Sequence, residues 1–153
     1  MHIPKIVSGG QTGADRAALD WALSRGIECG AWCPKGRKAE DGRIAAKCVL
    51  IVEFYKFRRP APNVKNKGAY RAERPAIRHQ ATTGGSRKTA EFAVKHNKPY
   101  LHVHPGQENA AQALRDFVAD NEIATLNVAG PRASKEPQVG KFVKEVLEAA
   151  FPA

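Results

Sequence analysis

Apolar and polar positions follow one another along this chain in blocks whose lengths suit strands and helices in turn. Ile3 to Ser8 is a short apolar stretch that stops at Gly9-Gly10, the profile of a buried strand. Ala14 to Arg25 is rich in Ala and Leu, strong helix formers, and Gly26 follows as a natural C-terminal stop. Thr12 and Asp15 stand three apart, as a capping box would place them, and Arg16 and Asp20 have the i,i+4 spacing of a surface pair. Strand, glycine turn and helix make the first half of a βαβ unit.

A short strand is expected around 28–32, then a polar loop from Pro34 to Gly42, then a strand over 49–54. From there to about Thr83 no period emerges, and prolines at 60, 62 and 75 break any helical or strand pattern. Order returns with a helix over 86–96, Asn97 at its end, and a strand-like stretch from Pro99 to His104. Apolar residues at 110, 113, 114, 117 and 118 predict a helix over 107–121. A strand over 123–129 ends at Gly130-Pro131, and a second clear amphipathic helix spans 138–150. Alternating strands and helices predict one α/β domain over 1–153 with a mainly parallel sheet and helices on both faces. Ligands of such sheets bind outside the carboxyl ends of the strands, near a topological switch point.

Composition narrows the class. The longest apolar run, Cys48 to Val52, falls far short of the roughly 20 residues a membrane span needs, and the start lacks a signal-peptide layout. Three cysteines, Cys29, Cys33 and Cys48, are too few for a disulfide framework, so the expected setting is the cytoplasm with reduced thiols. Cys29 and Cys33 have no second pair and no nearby His to complete a zinc site, and read as small core residues. Lys and Arg number 25 against 15 Asp and Glu, a net charge of +10, which favours acidic partners. Most of that excess lies between Arg43 and His79, with ten basic residues against two acids.

Three glycine turns follow predicted strands: Gly9-Gly-Gln-Thr-Gly13, Gly84-Gly-Ser86 and Gly130-Pro-Arg-Ala-Ser134. Parallel topology brings all three to one edge, where glycine permits close backbone approach and helix starts favour anions. A tight turn alone accounts equally well for any one of them. Arg87 and Lys88 lie in a first helical turn, an unfavourable place for cations that a bound anion would reverse. Arg132, Lys135, Lys35, Arg37 and Lys38 are further basic residues able to converge there, and Gln11 and Thr12 offer side-chain hydrogen bonds. Asp15 and Asp20 could accept from a ribose or pterin, although helix-surface acids are more often structural. The first turn is neither a dinucleotide fingerprint nor a P-loop. His102 and His104 share one strand face without an acidic third ligand. Glu91 is the one carboxylate placed for acid/base work, with a solvated helix position as its ordinary role.

Four stretches together resemble the molybdenum carrier family: Val7 to Asp20, Trp32 to Gly42, Gly84 to Thr89 and Leu126 to Lys135, in the family's order. The resemblance covers roughly 3–42 and 82–150. It implies a Rossmann-like three-layer sandwich related to the lysine-decarboxylase-like nucleotide-binding proteins. It also implies a role in binding molybdenum cofactor, a molybdopterin phosphate, for storage or transfer to molybdoenzyme acceptors. Carried over by motif, the binding residues are Gly9, Gly10, Gln11, Thr12, Gly13, Asp15, Lys35 and Arg37, then Gly84, Gly85, Ser86, Thr89, Arg132 and Ser134. No catalytic or metal-ligating residue is expected, and a homo-oligomer is compatible with the sequence. Residues 44–80 depart from the family, lacking its acidic turn and the apolar strand that enters the Gly84 loop. An Arg/Pro-rich, acid-poor insert between matched flanks is what out-of-frame translation produces, an origin that resequencing the coding DNA tests.

A carrier of a phosphorylated pterin–molybdenum ligand is therefore the leading expectation. An enzyme is the alternative, a nucleoside-monophosphate phosphoribohydrolase by resemblance to the lysine-decarboxylase-like proteins; of their Pro-Gly-Gly-x-Gly-Thr-x-x-Glu loop, Thr83 to Glu91 keeps the glycine pair, a Thr and a Glu but not the spacing. Nucleic-acid binding through 56–78, with Tyr55, Phe57 and Tyr70 for stacking, ranks last, since no recognisable module is present.

Overall fold

The computed structural model describes residues 3–31, 38–43, 49–50, 90–91 and 94–153. In chain order its elements are β1 (Lys5–Ser8), α1 (Ala14–Ser24), β2 (Cys29–Ala31), β3 (Lys38–Ala39) and β4 (Gly42–Arg43). β5 (Val49–Leu50), α2 (Ala110–Asp120), β6 (Thr125–Val128) and α3 (Val139–Ala150) follow. The main sheet runs β5-β2-β1-β6 with every pairing parallel, and β3 and β4 form a separate antiparallel hairpin. This is the expected α/β architecture with a parallel sheet.

β1 is central and reads as an unbroken apolar run because it is covered throughout: Ile6, Val7 and Ser8 are all at most 4% exposed. The chain proceeds from β1 to β2 on one side, whereas β6 pairs on the other, Ser8 opposite Val128. The strand order thus reverses at β1, and the crevice outside the carboxyl ends of β1 and β6 is a switch point. α1 packs over β1, β2 and β6 through Ala14, Ala17, Ala18 and Ala22, whose small side chains let the helix sit close to the sheet. α3 packs against α1, and α2 against α3. Ile6, Trp21, Leu114, Ile123, Leu126, Leu147 and Phe151 fill the core between them. The α1–α3 seam has a polar clamp at its edge. Trp21 Nε1 donates to Glu148 at 2.6 Å, while Arg25 lies 5.5 Å over the Trp21 ring and donates to the Phe151 carbonyl at 2.7 Å.

Several local expectations change. Gly26 ends α1 with φ +66°, as its position predicts, but the capping box is absent. Gly13 takes the N-cap position with φ +83°, a conformation closed to side chains, and the Thr12 hydroxyl turns outward to Glu40. Arg16 pairs with Asp41 rather than with Asp20, because the hairpin comes over the start of α1. The polar loop 34–42 carries, among its described residues, β3 and the turn of a hairpin whose second strand ends at Arg43. The expected strand Pro99–His104 reduces to a bridge at Pro99, since its remaining residues pair with no strand among the described residues. Its alternation survives: Leu101 and Val103 pack on the core, and His102 and His104 face out. Residues 90–91 and 94–95 are helical, with Asn97 at φ +48° closing that turn. Cys29 is buried in β2. Cys33, Cys48, most of the expected strand 49–54 and the rest of segment 44–80 lie outside the described residues.

Two glycines separate backbone freedom from backbone contact. A Cβ on Gly13 would meet the Pro131 carbonyl oxygen at 2.4 Å and the Ala133 nitrogen at 2.7 Å, while one on Gly26 would meet nothing within 4 Å. Gly26→Ala is expected to lose only the left-handed preference, about 1 kcal/mol. Gly13→Ala must also push the two turns away from each other and is expected to lose about 3 kcal/mol or more. Urea unfolding of both variants checks the order, and equal losses would refute the contact.

Candidate functional site

The carboxyl ends of β1 and β6 carry two of the three glycine turns, and these interlock. Gly13 lies against the backbone of 131–133, and a Cβ on Gly130 would meet Ala14 Cβ at 2.5 Å. The Ala14 N–H donates to the Pro131 carbonyl at 3.2 Å, and the Arg16 and Ala17 N–H groups donate to Gln11 and Gly13 within the turn. The start of α1 is therefore capped by the chain itself, not left open as the turn sequence suggests.

Asp15 occupies the inner side of this rim. Burial pushes its carboxyl up to about 6, against the backbone amides of Gln11, Gly130 and Gly9, which pull the other way. Ser8, itself buried, donates to the Val128 carbonyl at 2.6 Å and ties β1 to β6 below the carboxyl. Asp15 is thus no solvated helix acid. It is the negative group towards which the amides of both turns are directed.

Glu40, at the tip of the β3–β4 hairpin, occupies the outer side. One carboxylate oxygen accepts from the Thr12 hydroxyl and from the Ser134 N–H at 3.2 Å, and the other accepts from the Ser134 hydroxyl at 2.6 Å. These bonds, chiefly from Ser134 and Thr12 and with the Arg132 charge adding to them, hold Glu40 below the usual carboxylate range. Thr12 also accepts from the Ala133 N–H at 3.3 Å, so one hydroxyl links both turns to the hairpin. Gln11 grips the hairpin backbone from either side, accepting from the Glu40 N–H at 3.3 Å and donating to the Lys38 carbonyl at 3.5 Å. Arg16 donates to the Gly10 carbonyl at 3.0 and 3.3 Å and bridges to Asp41 at 3.2 Å.

The structure accordingly brings together Gly9, Gly10, Gln11, Thr12, Gly13, Asp15, Arg132 and Ser134. Lys35, Arg37, Gly84, Gly85, Ser86 and Thr89, with Arg87 and Lys88, lie outside the described residues, as do Tyr55, Phe57 and Tyr70. Glu40 and Asp41 were missed by sequence reasoning. The Asp-Gly pair at 41–42 is a hairpin signal, but strands of two residues show no alternation. Glu91 is exposed on its helical turn. His102 and His104 lie with ring centres 6.2 Å apart, and burial with the neighbouring His104 lowers the His102 pKa. Among the described residues no group of three His, Cys, Asp or Glu side chains is placed to hold a metal ion.

Residues 6–151 match the model of the circularly permutated YpsA SLOG family. A crystal structure from Syntrophus aciditrophicus SB, named "Putative molybdenum carrier protein", is 36% identical, with a TM-score of 0.78 over 97% of this chain and 95% of that one. No curated protein matches.

The two carboxylates make opposite contributions to stability. Asp15 binds its proton more tightly folded than unfolded, so its contribution is fully present below about 3.8 and is lost as pH rises through about 6. Glu40, with a depressed folded pKa, contributes above its ordinary value of 4.5 and loses this as pH falls below it. The Asp15→Asn variant is expected to gain on the order of 2 kcal/mol relative to wild type between pH 4 and pH 7. Urea midpoints across that window check this, and parallel profiles would contradict the buried placement of Asp15.

Proposed function

We propose that this chain, which belongs to the circularly permutated YpsA SLOG family, is a noncatalytic carrier of an anionic, phosphorylated pterin–molybdenum ligand. The ligand class comes from the name of the Syntrophus structure and its similarity over nearly the full length of both chains. The observation that carries the reading is the rim itself: Thr12, Ser134 and Arg132 already hold an oxyanion, the carboxylate of Glu40. A phosphate accepts from the same kinds of donor, and charge-assisted bonds to it are worth more than neutral ones. The switch-point position supplies the crevice for the rest of the ligand.

In this reading Gln11, Thr12, Arg132 and Ser134 meet the ligand's anionic end, and Gly9, Gly10 and Gly13 let the two turns close beneath it. Asp15 orders the inner amides. Lys35, Arg37, Gly84, Gly85, Ser86 and Thr89 complete the site from the stretches that carry the family resemblance. The carrier works in the cytoplasm, as a monomer or homo-oligomer, and passes its cargo to molybdoenzymes. Among the described residues, no helix is long and apolar enough to cross a membrane.

Anaerobic titration with molybdenum cofactor tests the proposal. Saturable binding at micromolar protein is expected, and Arg132→Ala should weaken it about tenfold, the loss of one charge-assisted contact. Absence of saturable binding by a chain shown folded by circular dichroism would discard the carrier reading. Release of free base from AMP, lost in Glu91→Gln, would replace it with the phosphoribohydrolase.

A further inference from the structure

We infer that Glu40 is a built-in competitor for the anion subsite, and that a tetrahedral oxyanion binds at Thr12, Arg132 and Ser134 by displacing the β3–β4 hairpin tip. The inference rests on the reading of this rim as an anion site and assigns the regulation of its occupancy. Both carboxylate oxygens of Glu40 are engaged, one by Thr12 and the Ser134 N–H, the other by the Ser134 hydroxyl at 2.6 Å. These donors belong to the turns after β1 and β6, whereas Glu40 belongs to a two-stranded hairpin outside the main sheet. The turns are fixed by close packing of Gly13 on the backbone of 131–133 and of Gly130 on the Ala14 methyl. The hairpin is held to them by exposed polar contacts: those of Glu40, the Gln11 bridges at 3.3 and 3.5 Å and the Arg16–Asp41 pair at 3.2 Å. Exposed ion pairs and solvent-facing hydrogen bonds are individually weak, so the hairpin tip is the element that yields.

An anion that needs the same donors binds only the fraction of molecules whose tip is open, and its apparent affinity falls by that fraction. Removing the charge at position 40 removes the competitor while leaving the receptor intact. The hydroxyls of Thr12 and Ser134 then become available to an external oxygen, with Arg132 beside them. Phosphate and molybdate share the tetrahedral oxyanion shape this subsite takes.

Titration of the full chain with inorganic phosphate, then with molybdate, at fixed ionic strength tests the inference by heteronuclear NMR. Glu40→Gln is expected to tighten phosphate binding about tenfold, and Glu40→Ala should act in the same direction. Ser134→Ala and Thr12→Val should weaken binding in either background. In the wild-type chain, phosphate should speed amide exchange at Glu40 and Asp41 as the tip is released. Equal or weaker phosphate binding by Glu40→Gln, or unchanged exchange at saturation, would overturn the inference. Competition by phosphate without any cofactor binding would retire the cargo and leave the latch standing. Cofactor binding that is indifferent to Glu40→Gln would do the reverse.

Discussion

The close approach of two turns through glycine, Gly13 against the backbone of 131–133 and Gly130 against the Ala14 methyl, is the constraint from which the site follows. A side chain at position 13 would strike the carbonyl of Pro131, and one at 130 would strike Ala14. With both absent, the turn after β1 and the turn after β6 close to contact distance, and the Pro131 carbonyl caps α1. Adjacent parallel strands place the turns side by side, but pairing alone would leave them separate loops. Their contact makes a single rim of them, with the Thr12 hydroxyl and the Ala133 and Ser134 amides within reach of one another.

A rim made this way has more donors than its own turns can satisfy, and the chain supplies two carboxylates to meet them. Asp15 and Glu40 both accept from backbone amides of the same two turns, Glu40 also from the Thr12 and Ser134 hydroxyls, yet their proton affinities move in opposite directions. The difference is solvent. Around Asp15 the penalty for removing a charge from water exceeds what its hydrogen bonds return. Glu40 keeps its hydration and so feels mainly the favourable bonds and the Arg132 charge. The inner carboxyl is therefore held within the fold, whereas the outer one stays at the solvent face of the rim.

Much of this architecture was legible in the sequence because it rests on local periodicity. The helices at 14–24, 110–120 and 139–150 follow from apolar spacing and from stops such as Gly26, and the strands at 5–8 and 125–128 from short runs ended by glycine. The convergence of Gly9 to Gly13 with Gly130 to Ser134 follows from parallel topology. What could not be read is long-range pairing. Nothing near Glu40 announces Thr12 or Ser134, which lie 28 and 94 residues away. Thr12 and Asp15 have capping-box spacing, but Gly13 intervenes with a conformation that sends the hydroxyl elsewhere. The Arg16–Asp20 spacing likewise lost to Asp41, a partner 25 residues distant. At Thr12 and Arg16 tertiary contact outweighed local pattern.

The donor arithmetic at Thr12 shows why the outer subsite selects an acceptor. Its single proton goes to Glu40, and its oxygen accepts from the Ala133 N–H. A neutral donor in place of the Glu40 carboxylate would have to face that proton together with the N–H and O–H of Ser134, all pointing the same way. Leaving such donors unmatched is unfavourable, and a cation would meet Arg132 as well. An acceptor with more than one oxygen meets all three donors at once, as the Glu40 carboxylate does. Glu40 is the acceptor the chain itself supplies, and it engages both oxygens to do so.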